Sequence, residues 1–314
     1  MRPSCPIICF GGAGLDRTYL CASEPTPGTS NPVTSRRSFG GVARNVAENL
    51  AKLGASVQLI SAVGDDTAGR DLSADLTAAG VDARGLISLA GQAPAEYTAA
   101  FWKGELFAGF ADMGIFDWLT PDVVAPALGA SQSDAIIFAD CNLPAETLVM
   151  LCQHALNNPT VLAVDVVSLA KSERLPQDLS GIGLLFLNAA QAQHMTATAT
   201  PAAALSELHA RGAQRLVLTD GSRGLTISTP EQTLRLAAPP GPVVNVSGAG
   251  DAVVAGTLLG LSEGRTVVAS VPLGLAVAAL TLQCLETVSP HLSRAALDAQ
   301  ILRMYPPKDA ADAC

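Results

Sequence analysis

Short apolar runs alternate along this chain with longer segments that show helical spacing. VQLISAV (57–63), DAIIFA (134–139), TVLAVDVV (160–167), LLFL (184–187) and RLVLT (215–219) are continuous rather than alternating. Strands buried on both faces have that character. Between them, residues 43–53, 68–79, 121–129, 145–157, 201–211 and 250–262 read as helices, followed by 266–286 and 293–303. GPVVNV (241–246) reads as a further strand entering a turn. Strand–helix alternation on this scale predicts an α/β fold, a Rossmann-like parallel sheet with helices on both faces. Ligands of such sheets bind at the carboxyl ends of the strands.

Two stretches break the rhythm. Residues 17–38 are polar and proline-rich, and residues 95–112 read as two short strands around Gly104. They predict a small β-sheet lid over a site, or else two surface loops. With no linker or repeat in view, residues 1–314 read as a single domain, with a tail from 305 that frays.

Composition narrows the class. Of the 314 residues, 49% are apolar and 15% charged, which leaves ample material for a core and little for disorder. The net charge of −9, with no basic cluster, argues against a nucleic acid polymer as partner. Seven cysteines without a C-x-x-C pair suggest neither a disulfide framework nor a zinc site, and reduced thiols fit the cytoplasm. PIICF (6–10) is too short for a leader's apolar region, so none is expected. The run 266–285 is long enough to span a bilayer, but Ser270, Pro272, Thr281 and Gln283 favour a buried helix, and no membrane association is expected.

The chemistry concentrates in NVSGAGDAVVAG (245–256). Gly248, Ala249 and Gly250 precede an apolar helix, so free backbone N–H groups and the positive helix end form an anion cradle suited to phosphate. Asp251 would repel a phosphate, yet it is well placed to take the proton of an attacking hydroxyl, kept ionised by the helix dipole. The same residues also suit an ordinary helix cap. FGGVARNVAENLAKLG (39–54) is a second glycine pair before a helix; Gly40 and Gly41 expose backbone, and Asn45 suits a sugar hydroxyl. In FGGAGLD (10–16), Asp16 can accept two hydroxyl protons. Tight turns with capping side chains are the alternative for both.

The pair GG-x-x-x-N-x-A and GAGDA resembles the two signatures of the ribokinase (PfkB) family of carbohydrate and nucleoside kinases. VGDDTAGRDL (63–72), LTDGSRG (218–224) and LN-x-x-Q (187–191) agree in order, and the likeness covers residues 6–303. SNP (30–32), GGVARN, ADMGIFDWLTP (111–121) and VDVVSLAKS (164–172) resemble the branch that phosphorylates the C-nucleoside pseudouridine. The resemblance implies a ribokinase-like fold and transfer of a phosphoryl group from ATP, with Mg²⁺, to the 5′-hydroxyl of pseudouridine. It makes Asp251 the base and Gly248, Ala249 and Gly250 the anion hole. Asp16, Asn45, Gly40 and Gly41 would hold the ribose, with Ser30, Asn142 and Lys171 at the base, although Lys171 equally suits solvent. Asn188, Thr219, Gly221 and Gly224 would line the nucleotide site. Independently of the resemblance, the exposed edge or face of a small lid sheet invites pairing, so a homodimer through the lid is expected. Three departures stand out. Asn245 replaces an Asp near the monovalent-cation loop of many members, which puts K⁺ in doubt. Gln191 replaces the acid of N-x-x-E, and Gly14 a common Asn. A kinase of another nucleoside or of ribose, and a sugar- or nucleotide-binding protein without catalysis, remain open.

Overall fold

The computed structural model describes residues 5–129 and 135–306. The tail beyond 306 and the first residue of the expected 134–139 strand lie outside these. Among the described residues the chain runs β1 (Ile7–Phe10), β2 (Gly14–Cys21), β3 (Val33–Gly40), α1 (Val42–Lys52), β4 (Val57–Gly64), α2 (Thr67–Ala78), β5 (Asp82–Leu89), β6 (Glu96–Trp102), β7 (Glu105–Asp112), α3 (Pro121–Gly129), β8 (Ile136–Asp140), α4 (Ala145–Asn157), β9 (Val161–Asp165), β10 (Leu184–Asn188), α5 (Ala189–Thr196), α6 (Pro201–Ala210), β11 (Leu216–Thr219), β12 (Leu225–Ser228), β13 (Thr233–Leu236), α7 (Ala249–Ser262), α8 (Val267–Thr281) and α9 (Arg294–Met304).

The main sheet has the order β13-β12-β11-β10-β9-β8-β1-β4-β5. It is parallel from β5 to β11, and β12 and β13 close that edge as an antiparallel hairpin. Successive side chains of a strand point to opposite faces, so β1 feeds two cores. Ile7 and Cys9 join a cluster with α1, α7, α8 and α9, while Ile8 and Phe10 join a second with α3, α4 and α6. The α/β architecture with helices on both faces is therefore as the pattern predicts.

A second sheet, β3-β2-β6-β7, forms from the two stretches that broke the rhythm. β2 pairs antiparallel with β3 and parallel with β6, so the loop reading of 17–38 and 95–112 is set aside. β3 and β7 are exposed along most of their length. Leu106, Phe107 and Phe110 on β7 are 54%, 52% and 67% exposed.

Local chemistry explains most helix starts. Asp66 Oδ1 accepts from Gly69 N–H before α2, Thr266 from Ala269 before α8, and Ser293 from Ala296 before α9. α1 is different: its N-cap is Gly41, with no cap of its own, and Ala43 N–H donates instead to Asp140 Oδ2 at 2.9 Å, across the sheet. The apolar run after Thr266 is a buried helix because its hydroxyls are satisfied internally. Ser270 donates to Thr266 O (2.8 Å) and Thr281 to Val277 O (3.2 Å). Gly256 lets α7 lie against α8, since a Cβ there would sit 2.6 Å from Gly274 Cα. Among the described residues no helix is long and apolar enough to cross a membrane.

Two expectations fail. α8 stops at Thr281, not 286, because Leu282 O is taken by Val244 N–H (2.7 Å) and Leu285 O by Asn245 Nδ2 (2.8 Å). The same contacts overturn the strand expected at 241–246. That segment bonds to the end of α8 instead of to a strand, and Val243 and Val246 stay 61% and 71% exposed. β5 and the β12–β13 hairpin are additions: their short runs carry charges and turns that mask the strand pattern.

Candidate active site

The carboxyl ends of the main strands carry polar residues after apolar runs: Asp140 closes β8, Asp165 β9, Asn188 β10 and Thr219 β11. The start of α7 faces this edge. Gly248 is its N-cap in a left-handed conformation, φ 80°, and a Cβ there would lie 1.9 Å from Thr287 O. Only glycine fits both constraints. Ala249, Gly250 and Asp251 form the first turn; the Ala249 N–H donates back to Val246 O at 3.3 Å, and those of Gly250 and Asp251 have no partner within the helix.

Asp251 is brought to Asn45 from 206 residues away: Asn45 Nδ2 donates to Asp251 Oδ2 at 2.8 Å. The amide's orientation follows from its other side. Arg44 Nη1 donates to Asn45 Oδ1 at 3.0 Å, so that atom is an acceptor and the NH₂ must face Asp251. Arg44 is itself buried and paired with Asp75 (2.9 Å) and Glu48 (2.5 Å). The expectation that the helix end keeps Asp251 readily ionised is corrected. Burial pushes its carboxyl well above the usual range, against the Asn45 hydrogen bond, and the nearby charges of Asp165, Asp140 and Asp16 add to the rise.

Three cavities meet here. One of about 260 Å³ lies between the two sheets, lined by Asp16, Gly40, Gly41, Asn45, Asn142 and Val167, with Tyr97, Met113 and Phe116 on its walls. Asp16 crosses from β2 to β3; a Cβ on Gly40 would meet its Oδ2 at 2.0 Å. Burial lifts the Asp16 carboxyl to about 6, and Arg44 opposes the rise. The second cavity, about 160 Å³, lies at the sheet edge between Asp165, Asn188, Gln191, Thr219, Gly250 and Asp251. The third, about 560 Å³, is largely apolar, lined among others by Gly221, Gly224, Pro240, Val246, Ala249 and Leu282. Thr219 and Gly250 belong to both of the last two.

Of the sequence candidates, three line none of these cavities: Gly248, turned against Thr287 O at the mouth of α7, Ser30 and Lys171. Ser30 is exposed in the loop between β2 and β3. Lys171 is half-buried near Arg174, whose guanidinium donates to Asn142 O at 2.6 Å, but it lines none of the three cavities. Spacing within a motif says nothing of which way a loop turns. Conversely, Arg44, Phe116 and Asp165 stand inside the quoted motifs but received no role, and Tyr97 and Asp140 lie outside them. Asp140 accepts from Gly12, Ala43 and Asn142 N–H, each at 2.9 Å, and so ties two glycine turns and α1 to β8. A carboxylate ending an apolar strand is the signal that would have found it and Asp165.

Gln191 has a structural explanation. Its Oε1 accepts from Asn188 N–H (2.7 Å) while Asn188 Oδ1 accepts from Gln191 N–H (2.9 Å), a capping box that glutamine satisfies without charge. This cavity holds two acids, Asp251 and Asp165, and Asp165 is raised to about 7 by burial and by Asp140. Such an enclosed carboxylate, with no cation lining its cavity, suits a divalent ion arriving with phosphates, which needs only one or two carboxylates. Among the described residues no cluster of three acidic, His or Cys side chains forms a cage by itself.

The pfkB family carbohydrate kinase model matches residues 7–294. Pseudouridine kinase of Escherichia coli (strain K12) is 30% identical over 300 residues, spanning 93% of this chain and 95% of that protein. The uncharacterized sugar kinase YeiI of the same organism is 33% identical over 294 residues, 91% of this chain and 80% of that one. The structure of Arabidopsis thaliana ribokinase complexed with ribose and ATP superimposes with a TM-score of 0.82 at 17% identity, covering 95% of this chain and 99% of that one.

Proposed function

This chain belongs to the pfkB family of carbohydrate kinases, and on that premise we propose that it transfers the γ-phosphoryl group of ATP to the 5′-hydroxyl of pseudouridine. Membership makes it a phosphotransferase with an alcohol as acceptor. The observation that carries the assignment of roles is Asp251, at the mouth of α7, hydrogen-bonded at 2.8 Å to Asn45 of the inter-sheet cavity. The nucleoside occupies that cavity, its ribose hydroxyls on Asp16, Asn45 and the Gly40–Gly41 backbone. Its base lies among Tyr97, Phe116 and Asn142. The triphosphate lies at the sheet edge by Asn188 and Thr219, and the adenine fills the apolar cavity near Gly221 and Gly224.

Asp251 accepts the proton of the 5′-hydroxyl as its oxygen bonds to the γ-phosphorus. The bond to the β–γ bridging oxygen breaks, and ADP leaves with that electron pair. The backbone N–H groups of Gly250 and Asp251, in the first turn of α7, receive the charge on the transferring group. Mg²⁺, held by Asp165 and the phosphates, supplies further charge neutralisation when bound. The small sheet acts as a lid that keeps water from the reaction. Asn245 Nδ2 donates to Leu285 O and Asn245 Oδ1 accepts from Ser247 N–H, which argues against a monovalent cation in the loop before α7. The apolar residues exposed on β7 support a homodimer through the lid. The use of ATP supports a cytoplasmic location.

The pseudouridine kinase relative and the aromatic walls support a nucleoside; the similarity to a sugar kinase supports a free sugar. ADP release with Mg·ATP across pseudouridine, uridine, inosine, adenosine and ribose decides. Pseudouridine is expected to give the highest kcat/KM. A higher value for ribose or uridine replaces the substrate, and tight binding by calorimetry without ADP from any acceptor replaces the enzyme by a binding protein.

A further inference from the structure

Among the described residues three non-glycine positions have positive φ: Lys103, Val167 and Ala197. Two have local causes. Lys103 precedes Gly104 in the β6–β7 turn, and Ala197 ends α5 as its left-handed cap. Val167, at φ 65°, has none, and a β-branched side chain there is strained. Its neighbours show how it is held. Ser168 N–H donates to Val166 O at 2.7 Å, which closes a three-residue γ-turn of the rare, positive-φ kind around Val167. Val167 N–H donates to Asp165 Oδ1 at 2.7 Å, and Val166 N–H to Phe186 O at 3.1 Å. The turn is over-determined by its surroundings.

The strained residue stands where the two reacting cavities meet. Val42 and Val167 are the two residues that line both the inter-sheet cavity and the edge cavity. Val42 opens α1 in regular helical geometry; Val167 needs the strained turn to reach this position. We propose that Val167 is a specificity-determining wall residue, whose branched side chain narrows the passage between acceptor and phosphate cavities so that one hydroxyl is seated toward Asp251 and water is kept from the phosphate. This rests on the kinase reading above. Glycine adopts the left-handed turn without strain but leaves the wall open, so stability and function respond in opposite directions.

The test compares wild type, Val167→Gly and Val167→Thr, with thermal midpoint, acceptor KM, kcat and the ratio of ADP released to acceptor phosphorylated. Val167→Gly is expected to melt no lower than wild type. Its acceptor KM rises about 10-fold, the scale for removing a small apolar group from a specificity pocket, and its ADP ratio exceeds one. Val167→Thr, β-branched and of similar shape, restores KM and one-to-one coupling. A Val167→Gly enzyme with unchanged KM and coupling overturns the proposal. So does a lowered melting point with kcat falling at unchanged KM and coupling, which marks a purely structural residue. Wild-type transfer to the acceptor panel separates the two levels: its absence overturns the kinase reading and this proposal together, whereas transfer by wild type with an indifferent glycine variant overturns this proposal alone.

Discussion

Replacing Asp251 by Asn removes the proton acceptor and leaves its shape. Asn45 Nδ2 donates to Oδ2 of Asp251 at 2.8 Å, and the amide oxygen of the new side chain accepts the same bond. Arg44 holds Asn45 from behind at 3.0 Å, so the donor does not rotate away. The acceptor contacts at Asp16 and Asn142 are untouched. What disappears is a positioned base, commonly a loss of about 10²- to 10⁴-fold in kcat. That corresponds to about 2.7 to 5.4 kcal/mol of transition-state stabilisation. Acceptor KM is expected to move little. Stability moves the other way. Burial and the charges of Asp165, Asp140 and Asp16 raise the folded-state pKa of Asp251, so folding favours its protonated form. Stability from a raised carboxyl is fully present below its unfolded value, near pH 4, and is lost as pH rises through the folded value. A neutral Asn escapes that loss. Asp251→Asn is expected to melt above wild type at pH 8, with the gap closing toward pH 4. ADP release under saturating substrates and thermal unfolding at both pH values check the pair. Turnover within about 10-fold of wild type refutes the role of base; a lower melting point at pH 8 refutes the account of the carboxylate cluster.

Other expectations test the rest of the site. Gly248→Ala forces a Cβ into the space of Thr287 O at a left-handed φ, and is expected to cost about 10²-fold in kcat, as for loss of one anion-hole donor. Gly250→Ala has nothing within 4 Å of its new Cβ; it is expected to melt higher, since helical Gly costs roughly 1 kcal/mol against Ala, while ATP KM rises because the backbone must approach phosphate. In the ligand-free protein, Asp165, raised from 3.8 to about 7, is expected to make the melting point fall as pH climbs from 4 through 7. Asp165→Asn flattens that fall, worth on the order of 4 kcal/mol at most, and an unchanged slope refutes the burial argument. Exchanging K⁺ for tetramethylammonium at constant ionic strength is expected to leave the rate unchanged; a marked loss refutes the reading of Asn245 as a substitute for the cation.

The sheet and its order of events were legible in the chain because they are encoded locally. A four- or five-residue apolar run, a glycine before a helix, and a polar residue closing a strand each act through near neighbours. IIFAD, VLAVD, LLFLN and LVLT carry both the buried strands and the polar edge. GAGD and GGVARN likewise announce two helix mouths open to a ligand. Even the small sheet showed itself, by the failure of helical rhythm at 17–38 and 95–112.

What only the tertiary structure decided depends on burial and on contacts far apart in sequence. Asp140 caps α1 from 97 positions away, and Arg44 fixes an amide that meets Asp251 across 206. The segment 241–246 has strand-like residues, yet its backbone bonds to the end of α8 instead of to a sheet edge. Val167 accepts a conformation its own side chain disfavours because the bonds around it, closed by the whole fold, outweigh that preference. Local propensity is worth a fraction of a kcal/mol per residue, whereas leaving a buried carboxylate or amide unpaired costs several. Where the two conflicted, the buried polar groups chose the geometry, and their partners cannot be read from any short stretch of the chain.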